Sequence, residues 1–150
     1  MNILIRRLDN QDARALRALN QVFSETFNDA ENYSANKPTI EYLNNFLSDQ
    51  SHVVLVAENE SHVVGGLVAY CLTKFESERK EIYVYDLAVN GKFQRQGIGR
   101  KLLDELKIVA RQLGAYVIFL QADEGDEAIK FYEALNPSEN SKTRNFDFPV

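Results

Sequence analysis

The period of the hydrophobic positions changes several times along the chain, and each change marks an element. Residues Ile3 to Leu8 (ILIRRL) alternate closely enough to predict an opening strand. Asp9, Asn10 and Asp12 then offer helix caps, and beyond them Ala15, Leu16, Leu19 and Phe23 share one helical face. Phe27 to Pro38 (FNDAENYSANKP) is polar and irregular, after which Ile40, Leu43, Phe46 and Leu47 return to the helical period as a second, short helix. His52 to Leu72 holds two β-rich runs divided by Glu58 to Ser61, the pattern of an antiparallel hairpin. Glu81 to Val89 (EIYVYDLAV) is apolar on both faces and reads as a central strand. A helix over Ile98 to Leu113, a strand over Tyr116 to Gln121, a helix over Asp126 to Leu135 and a last strand near Arg144 to Phe148 complete the order β-α-α-β-β-β-α-β-α-β. That order predicts an α/β (α+β) fold with a mixed central sheet of about six to seven strands flanked by about four helices.

Composition narrows the picture. A chain of 150 residues with 45% hydrophobic content suits one domain spanning residues 1–150, and it carries no repeats or low-complexity linker. Its 17 Lys+Arg against 22 Asp+Glu give a net charge of -5, which argues against nucleic acid as a partner and leaves room for a cationic ligand. Cys71 stands alone and forms no internal disulfide; without a His placed beside it, it reads as a small buried hydrophobe. No apolar run has the length of a membrane span or a secretory signal, so a cytoplasmic protein without a membrane partner is expected. His52 and His62 flank one hairpin without ligand spacing, which places them at strand-edge surface positions and predicts no metal site.

The chemistry concentrates in GKFQRQGIGRKLLDELK, Gly91 to Lys107. A strand leads through Asn90-Gly91 into Gln94-Arg95-Gln96-Gly97-Ile98-Gly99, and then into a helix that buries Leu102, Leu103, Leu106, Ala110 and Leu113. The first amides of such a helix lack partners and carry the positive end of its dipole, and glycines at 97 and 99 admit a bulky diphosphate without a Cβ in its way. A dinucleotide fingerprint would need glycine at position 102, which is Leu102, and the Gly-Lys-Ser/Thr of a P-loop is absent. Asp86 interrupts an otherwise apolar and aromatic strand with no partner nearby in sequence, which marks it as a functional carboxylate. Further carboxylates sit on two loops: Asp29 and Glu31 on the first, Asp123, Glu124, Asp126 and Glu127 on the second. They suit a polycation, although Asp126 and Glu127 equally suit a helix start.

Gln94-x-x-Gly97-x-Gly99, Gly65-Gly66 in the third strand, and Tyr132 in the late helix AIKFYEAL together resemble the GCN5-related N-acetyltransferase superfamily. The resemblance implies acetyl-coenzyme A as acetyl donor and no metal. Gln94, Arg95, Gln96, Gly97, Gly99 and Arg100 would hold its pyrophosphate. Leu87, Ala88 and Val89 would line a gap between the fourth and fifth strands that takes the pantetheine arm, their amides polarising the thioester carbonyl. Tyr132 would be the acid that protonates the departing thiolate. The longer strings EIYVYDLAV, LGAYVIFLQAD, LVAYCLTKFE and FNDAENYSANKP are similar to the type I aminoglycoside 3-N-acetyltransferases, which inactivate gentamicin-like antibiotics. That likeness implies direct transfer of acetyl to the 3-amino group of an aminoglycoside. Asp86, or Glu81 through a water, would act as base, with Asp29, Glu31, Tyr33, Asp123, Glu124 and Asp126 gripping the polycation. It also suggests a homodimer, for which the tyrosine-rich or C-terminal strands could supply an edge. The alternatives are acetylation of a polyamine or another small amine, and a non-catalytic acyl-coenzyme A sensor.

Overall fold

A computed structural model describes residues 1–150. Five strands, β1 (Ile3–Arg7), β2 (His52–Asn59), β3 (His62–Thr73), β4 (Lys80–Val89) and β5 (Ala115–Leu120), lie side by side in chain order. The first three pairings are antiparallel and β4–β5 is parallel, so the sheet is mixed as the sequence predicts. The helices are α1 (Ala13–Phe27), α2 (Ala30–Tyr33), α3 (Ile40–Ser48), α4 (Ile98–Leu113) and α5 (Ala128–Glu133). None of them is long and apolar enough to cross a membrane.

Two cores sandwich the sheet. Leu16, Leu19, Val22 and Phe23 of α1 pack with Leu43 and Leu47 of α3 on Val54, Val56 and Ala88. On the other face, Ile98, Leu102, Leu106 and Val109 of α4 pack on Val53, Leu55, Leu67, Ile82 and Val84. Because β2 is buried on both faces, its run Val53 to Ala57 is continuously apolar instead of alternating. Gly66 lets α1 lie close to the sheet: a Cβ there would stand 2.5 Å from the Leu55 carbonyl oxygen and 2.7 Å from Leu19 Cδ1.

Register sets the chemistry of β4. Val68 faces Asp86 but Ala69 faces Val84, so Tyr85 is an extra residue, a β-bulge. Ile82 and Val84 enter the α4 core, whereas Ala88, four residues beyond Val84, enters the α1 core. The bulge thus turns Asp86 away from the apolar α4 side, where strict alternation would have put it.

Five expectations change. The sheet has five strands, and five helices replace four because the irregular Phe27 to Pro38 stretch contains α2, capped by the Asp29 carboxylate accepting from the Asn32 amide at 3.2 Å. The late helix is shorter than Asp126 to Leu135. Arg144 to Phe148 is not a strand in this chain: none of its 81 backbone hydrogen bonds involves residues 137–150, all of which are exposed. An alternating sequence becomes a strand only where a neighbouring edge accepts its amides. His52, expected at the surface, is half-buried instead, its ring stacked 4.0 Å from Phe46 and its Nδ1 2.8 Å from the Phe46 carbonyl oxygen, which closes the end of α3.

Gly66→Ala is expected to destabilise the fold by about 1–3 kcal/mol, because backbone and Leu19 must both shift to admit one methyl group. Urea unfolding would show a lower midpoint with an unchanged slope.

Candidate active site

The pairing of β4 with β5 ends at Val84–Leu120, yet β4 runs on to Val89 bonded only to β3. Peptide groups on its free side therefore open into a gap, and Leu87, Ala88 and Val89 form this unpaired stretch. Gln94 ties the next loop to the strand, its Nε2 donating to the Val89 carbonyl at 2.9 Å. Gln96 Nε2 closes the turn on the Lys92 carbonyl at 3.3 Å.

The loop then enters α4 through two left-handed residues, Arg95 (φ 62°) and Gly97 (φ 79°). Gly97 is the N-cap and offers no side-chain acceptor, and the first turn holds no acidic residue. The first helical bond runs from the Lys101 amide to the Gly97 carbonyl at 3.0 Å, which leaves the amides of Ile98, Gly99 and Arg100 without intrahelical partners. Together with the helix dipole these free amides are chemically suited to an anion, and Arg95 and Arg100 are exposed beside them. The two glycines divide the work. A Cβ at Gly97 would meet nothing within 4 Å, but one at Gly99 would come 2.9 Å from Phe131 Cζ. Gly99 thus also gives Phe131 of α5 room to pack against the start of α4.

Beside the open stretch of β4, Asp86 finds the partner that its own neighbourhood in sequence lacks. The Tyr33 hydroxyl donates to Asp86 Oδ2 at 2.8 Å across 53 positions of chain. Burial pushes the Asp86 carboxyl above its ordinary range, and the Tyr33 hydrogen bond pulls it partly back. Tyr33 is in turn braced by Phe23 and Phe27, at ring separations of 5.7 and 5.6 Å. Its phenol is raised far above the ordinary value, first by burial and then by the Asp86 hydrogen bond, so it remains a donor. Tyr132 on α5 is mostly buried, and its phenol is pushed up to about 12, by burial first and then by the negative charges of Asp126 and Asp86. At neutral pH it keeps its proton.

The acidic loops are arranged less uniformly than the sequence suggests. Asp29 is occupied in capping α2, and its Oδ2 also accepts from Asn32 Nδ2 at 2.8 Å; Glu31 is exposed. Asp123, Glu124 and Asp126 are exposed on the β5–α5 loop, where Asp126 Oδ1 accepts from the Ala128 amide at 2.8 Å and Glu124 lies 4.0 Å from Lys142. Glu81 does not join Asp86. Five residues along a strand rising about 3.3 Å each put the two roughly 16 Å apart. Glu81 pairs with Lys74 at 2.9 Å and accepts from the Tyr116 hydroxyl at 3.0 Å, and these partners hold its carboxyl below the ordinary range. Its surroundings tie the turn between β3 and β4 to β5.

Sequence reasoning passed over an aromatic floor. Tyr70, Tyr85, Tyr83 and Phe119 form a continuous row across β3, β4 and β5, with ring separations of 6.1, 5.9 and 4.9 Å. Tyr85 is 61% exposed, and the Tyr83 hydroxyl is pinned to Gln121 Oε1 at 2.8 Å. The Asp86 charge helps raise the phenols of Tyr70 and Tyr83, after burial and Tyr85, so the floor adjoins that carboxylate. The i, i+2 spacing of Tyr83 and Tyr85 was the available signal; the bulge that adds Asp86 to the same face was not legible.

An anion cradle at the start of α4, opening onto an unpaired strand end with a carboxylate and a phenol beside it, suits acyl transfer from a diphosphate-bearing donor. Residues 13–136 match the acetyltransferase (GNAT) family. The chain belongs to this family. GNAT acetyltransferases take the acetyl group from acetyl-coenzyme A. Among solved structures, the chain is similar to an aminoglycoside acetyltransferase from an uncultured soil metagenomic sample, with 39% identity, TM-score 0.95, and coverage of 100% of this chain and 99% of that one. A second aminoglycoside acetyltransferase from such a sample, in complex with sisomicin, matches at 32% identity and TM-score 0.92, covering 99% of this chain and 96% of that one. The glucosamine-6-phosphate N-acetyltransferase of Arabidopsis thaliana, at 20% identity and TM-score 0.78 over 99% of this chain and 100% of that one, shares the fold. No group of three or more His, Cys, Asp or Glu side chains is set to hold a metal ion in this GNAT chain.

Two outcomes are expected from the geometry. Gly97→Val forces a branched residue into a left-handed conformation at the mouth of the cradle, so coenzyme A affinity measured by calorimetry should fall at least tenfold. Tyr33→Phe removes the one hydrogen bond that lowers the Asp86 carboxyl, so the Asp86 titration midpoint followed by carboxyl NMR should move to higher pH.

Proposed function

We propose that this acetyltransferase moves acetyl directly from acetyl-coenzyme A to the 3-amino group of an aminoglycoside, inactivating the antibiotic. The observation that carries the reading is Asp86, a half-buried carboxylate beside the free edge of β4, oriented by Tyr33 and adjoining an exposed aromatic floor. Supporting it are the likenesses to two aminoglycoside acetyltransferases, one of them bound to sisomicin. The choice of the 3-amino position and of gentamicin-like acceptors rests on the similarity of EIYVYDLAV and LGAYVIFLQAD to the type I enzymes.

In this reading, the negative field of Asp29, Glu31, Asp123, Glu124 and Asp126 draws in the polycation. Tyr33 contributes through Asp86. Sugar rings lie on the floor of Tyr85, Tyr83 and Tyr70, whose faces accept both C–H groups and ammoniums. Asp86 takes a proton from the target ammonium, and the freed lone pair attacks the thioester carbonyl. Amides of the unpaired Leu87–Val89 stretch hold the oxyanion. As the carbon–sulfur bond breaks, Tyr132 gives its proton to the thiolate, and the nitrogen loses its second proton to solvent. The products are an acetamide and coenzyme A.

Asp86→Asn is expected to lower kcat by about two to four orders of magnitude with gentamicin, and alkali should recover part of the loss because free amine becomes abundant. Tyr132→Phe should show a defect that persists in alkali and shrinks with acyl donors whose thiolate leaves more easily. Thiol release with gentamicin but not spermidine, with the acetyl group located on the 3-nitrogen by NMR, supports the proposal; turnover of spermidine alone, or coenzyme A binding without turnover of any amine, overturns it.

A further inference from the structure

Tyr33 ends α2, yet nothing in the four residues of that helix fixes its place. A single turn is too short to hold its shape alone, and no α2 side chain is fully buried. The position of the Tyr33 hydroxyl is therefore set by whatever ties the two ends of this turn to the rest of the chain.

Ser24 of α1 meets both ends. Its carbonyl oxygen accepts from the amide of Asp29, the N-cap of α2, at 3.0 Å, and its hydroxyl oxygen lies 2.8 Å from that of Ser34, the C-cap. Ser34 Oγ also reaches the Ala30 carbonyl at 3.4 Å; donating there, it accepts from Ser24. A serine inside a helix commonly returns its proton to a carbonyl of the preceding turn. The Ser24 hydroxyl reaches out to α2 instead. It belongs to the one polar side chain of the buried core, 6% exposed, and its neighbour Phe23 braces the Tyr33 ring. Alanine would fill the same space, so size alone gives no reason for a hydroxyl here.

We propose that Ser24 is a positioning residue: by holding both caps of α2 it keeps the Tyr33 hydroxyl on Asp86 Oδ2. Tyr33 directly precedes Ser34, so a freed Ser34 lets the end of the turn shift, and the hydroxyl at the tip of the ring loses its 2.8 Å contact first. The titratable side chains around Asp86 are phenols: Tyr33 of α2, Tyr70 of β3, Tyr83 and Tyr85 of its own strand, and Tyr132 of α5. Only Tyr33 donates to it; burial raises the carboxyl and this one contact lowers it. Losing the contact raises the Asp86 midpoint and leaves less carboxylate at a given acid pH. It changes nothing at pH values where the carboxyl is ionised with or without Tyr33. The kinetic consequence rests on the reading of Asp86 as the base; the contact itself does not.

Ser24→Ala removes the hydroxyl and keeps the packing. Carboxyl NMR of the full chain should then show the Asp86 midpoint moved to higher pH, as for Tyr33→Phe, and the Ser24→Ala, Tyr33→Phe double variant should titrate where Tyr33→Phe does. With acetyl-coenzyme A and gentamicin, kcat/KM should fall about three- to tenfold on the acid limb of its pH profile and match the parent on the alkaline side. Ser34→Ala, at a half-buried position, should reproduce the NMR shift, and it decides the matter if Ser24→Ala does not fold. A parent-like Asp86 midpoint in the folded variants overturns the proposal, since Ser24 then serves packing alone. So does a double variant shifted beyond Tyr33→Phe, because Ser24 then acts on Asp86 by another route. A moved midpoint with an unmoved kinetic profile upholds the positioning role and overturns Asp86 as the base.

Discussion

The end of the β4–β5 ladder at Val84–Leu120 is the constraint on which the rest of the site depends. Past that pair, β4 keeps one hydrogen-bonding partner and loses the other, and a strand with one bare edge inside a protein needs something to satisfy it. Here the bare stretch leads straight into the Gln94 loop and the uncapped start of α4, so free strand amides and free helix amides follow one another along the chain. The proposed acyl transfer would use the first as an oxyanion site and the second as an anion site.

The bulge at Tyr85 makes the same stretch chemically asymmetric. By adding one residue it places Tyr85 and Asp86 toward the α1 side, while Ile82 and Val84 stay in the α4 core. A carboxylate among Ile98, Leu102 and Leu106 would be desolvated without compensation; beside Tyr33 it keeps a charge-assisted hydrogen bond and access to solvent. Tyr33 itself depends on Phe23 and Phe27 for its position, so the core of α1 reaches the carboxylate through three aromatic rings. Glycine at 66 serves the same end by letting α1 settle on the sheet.

The sheet edges carry a related lesson. Arg144 to Phe148 alternate as a strand would, but the chain supplies no ladder for them and they form no strand. Local pattern therefore agrees with the structure at the other strands and disagrees at this segment, where no edge accepts the amides.

The sequence by itself determined the elements whose amphipathic pattern is local: β1 to β5, the long helices α1 and α4, and the Gln94–Gly99 loop, since a run of apolar residues at period 2 or 3.6 has only one way to bury them. It also marked Asp86, because a carboxylate in an apolar strand is anomalous wherever that strand lies. Only the tertiary structure decided what Asp86 does with that anomaly. Its partner Tyr33 lies 53 residues away on a one-turn helix that no periodicity could reveal. The separation of Glu81 from the site, the packing duty of Gly99 against Phe131, and the assembly of Tyr70, Tyr83, Tyr85 and Phe119 into one floor likewise follow from strand register and helix packing. Those are fixed by contacts between segments distant in sequence, where a single inserted residue redirects every side chain beyond it.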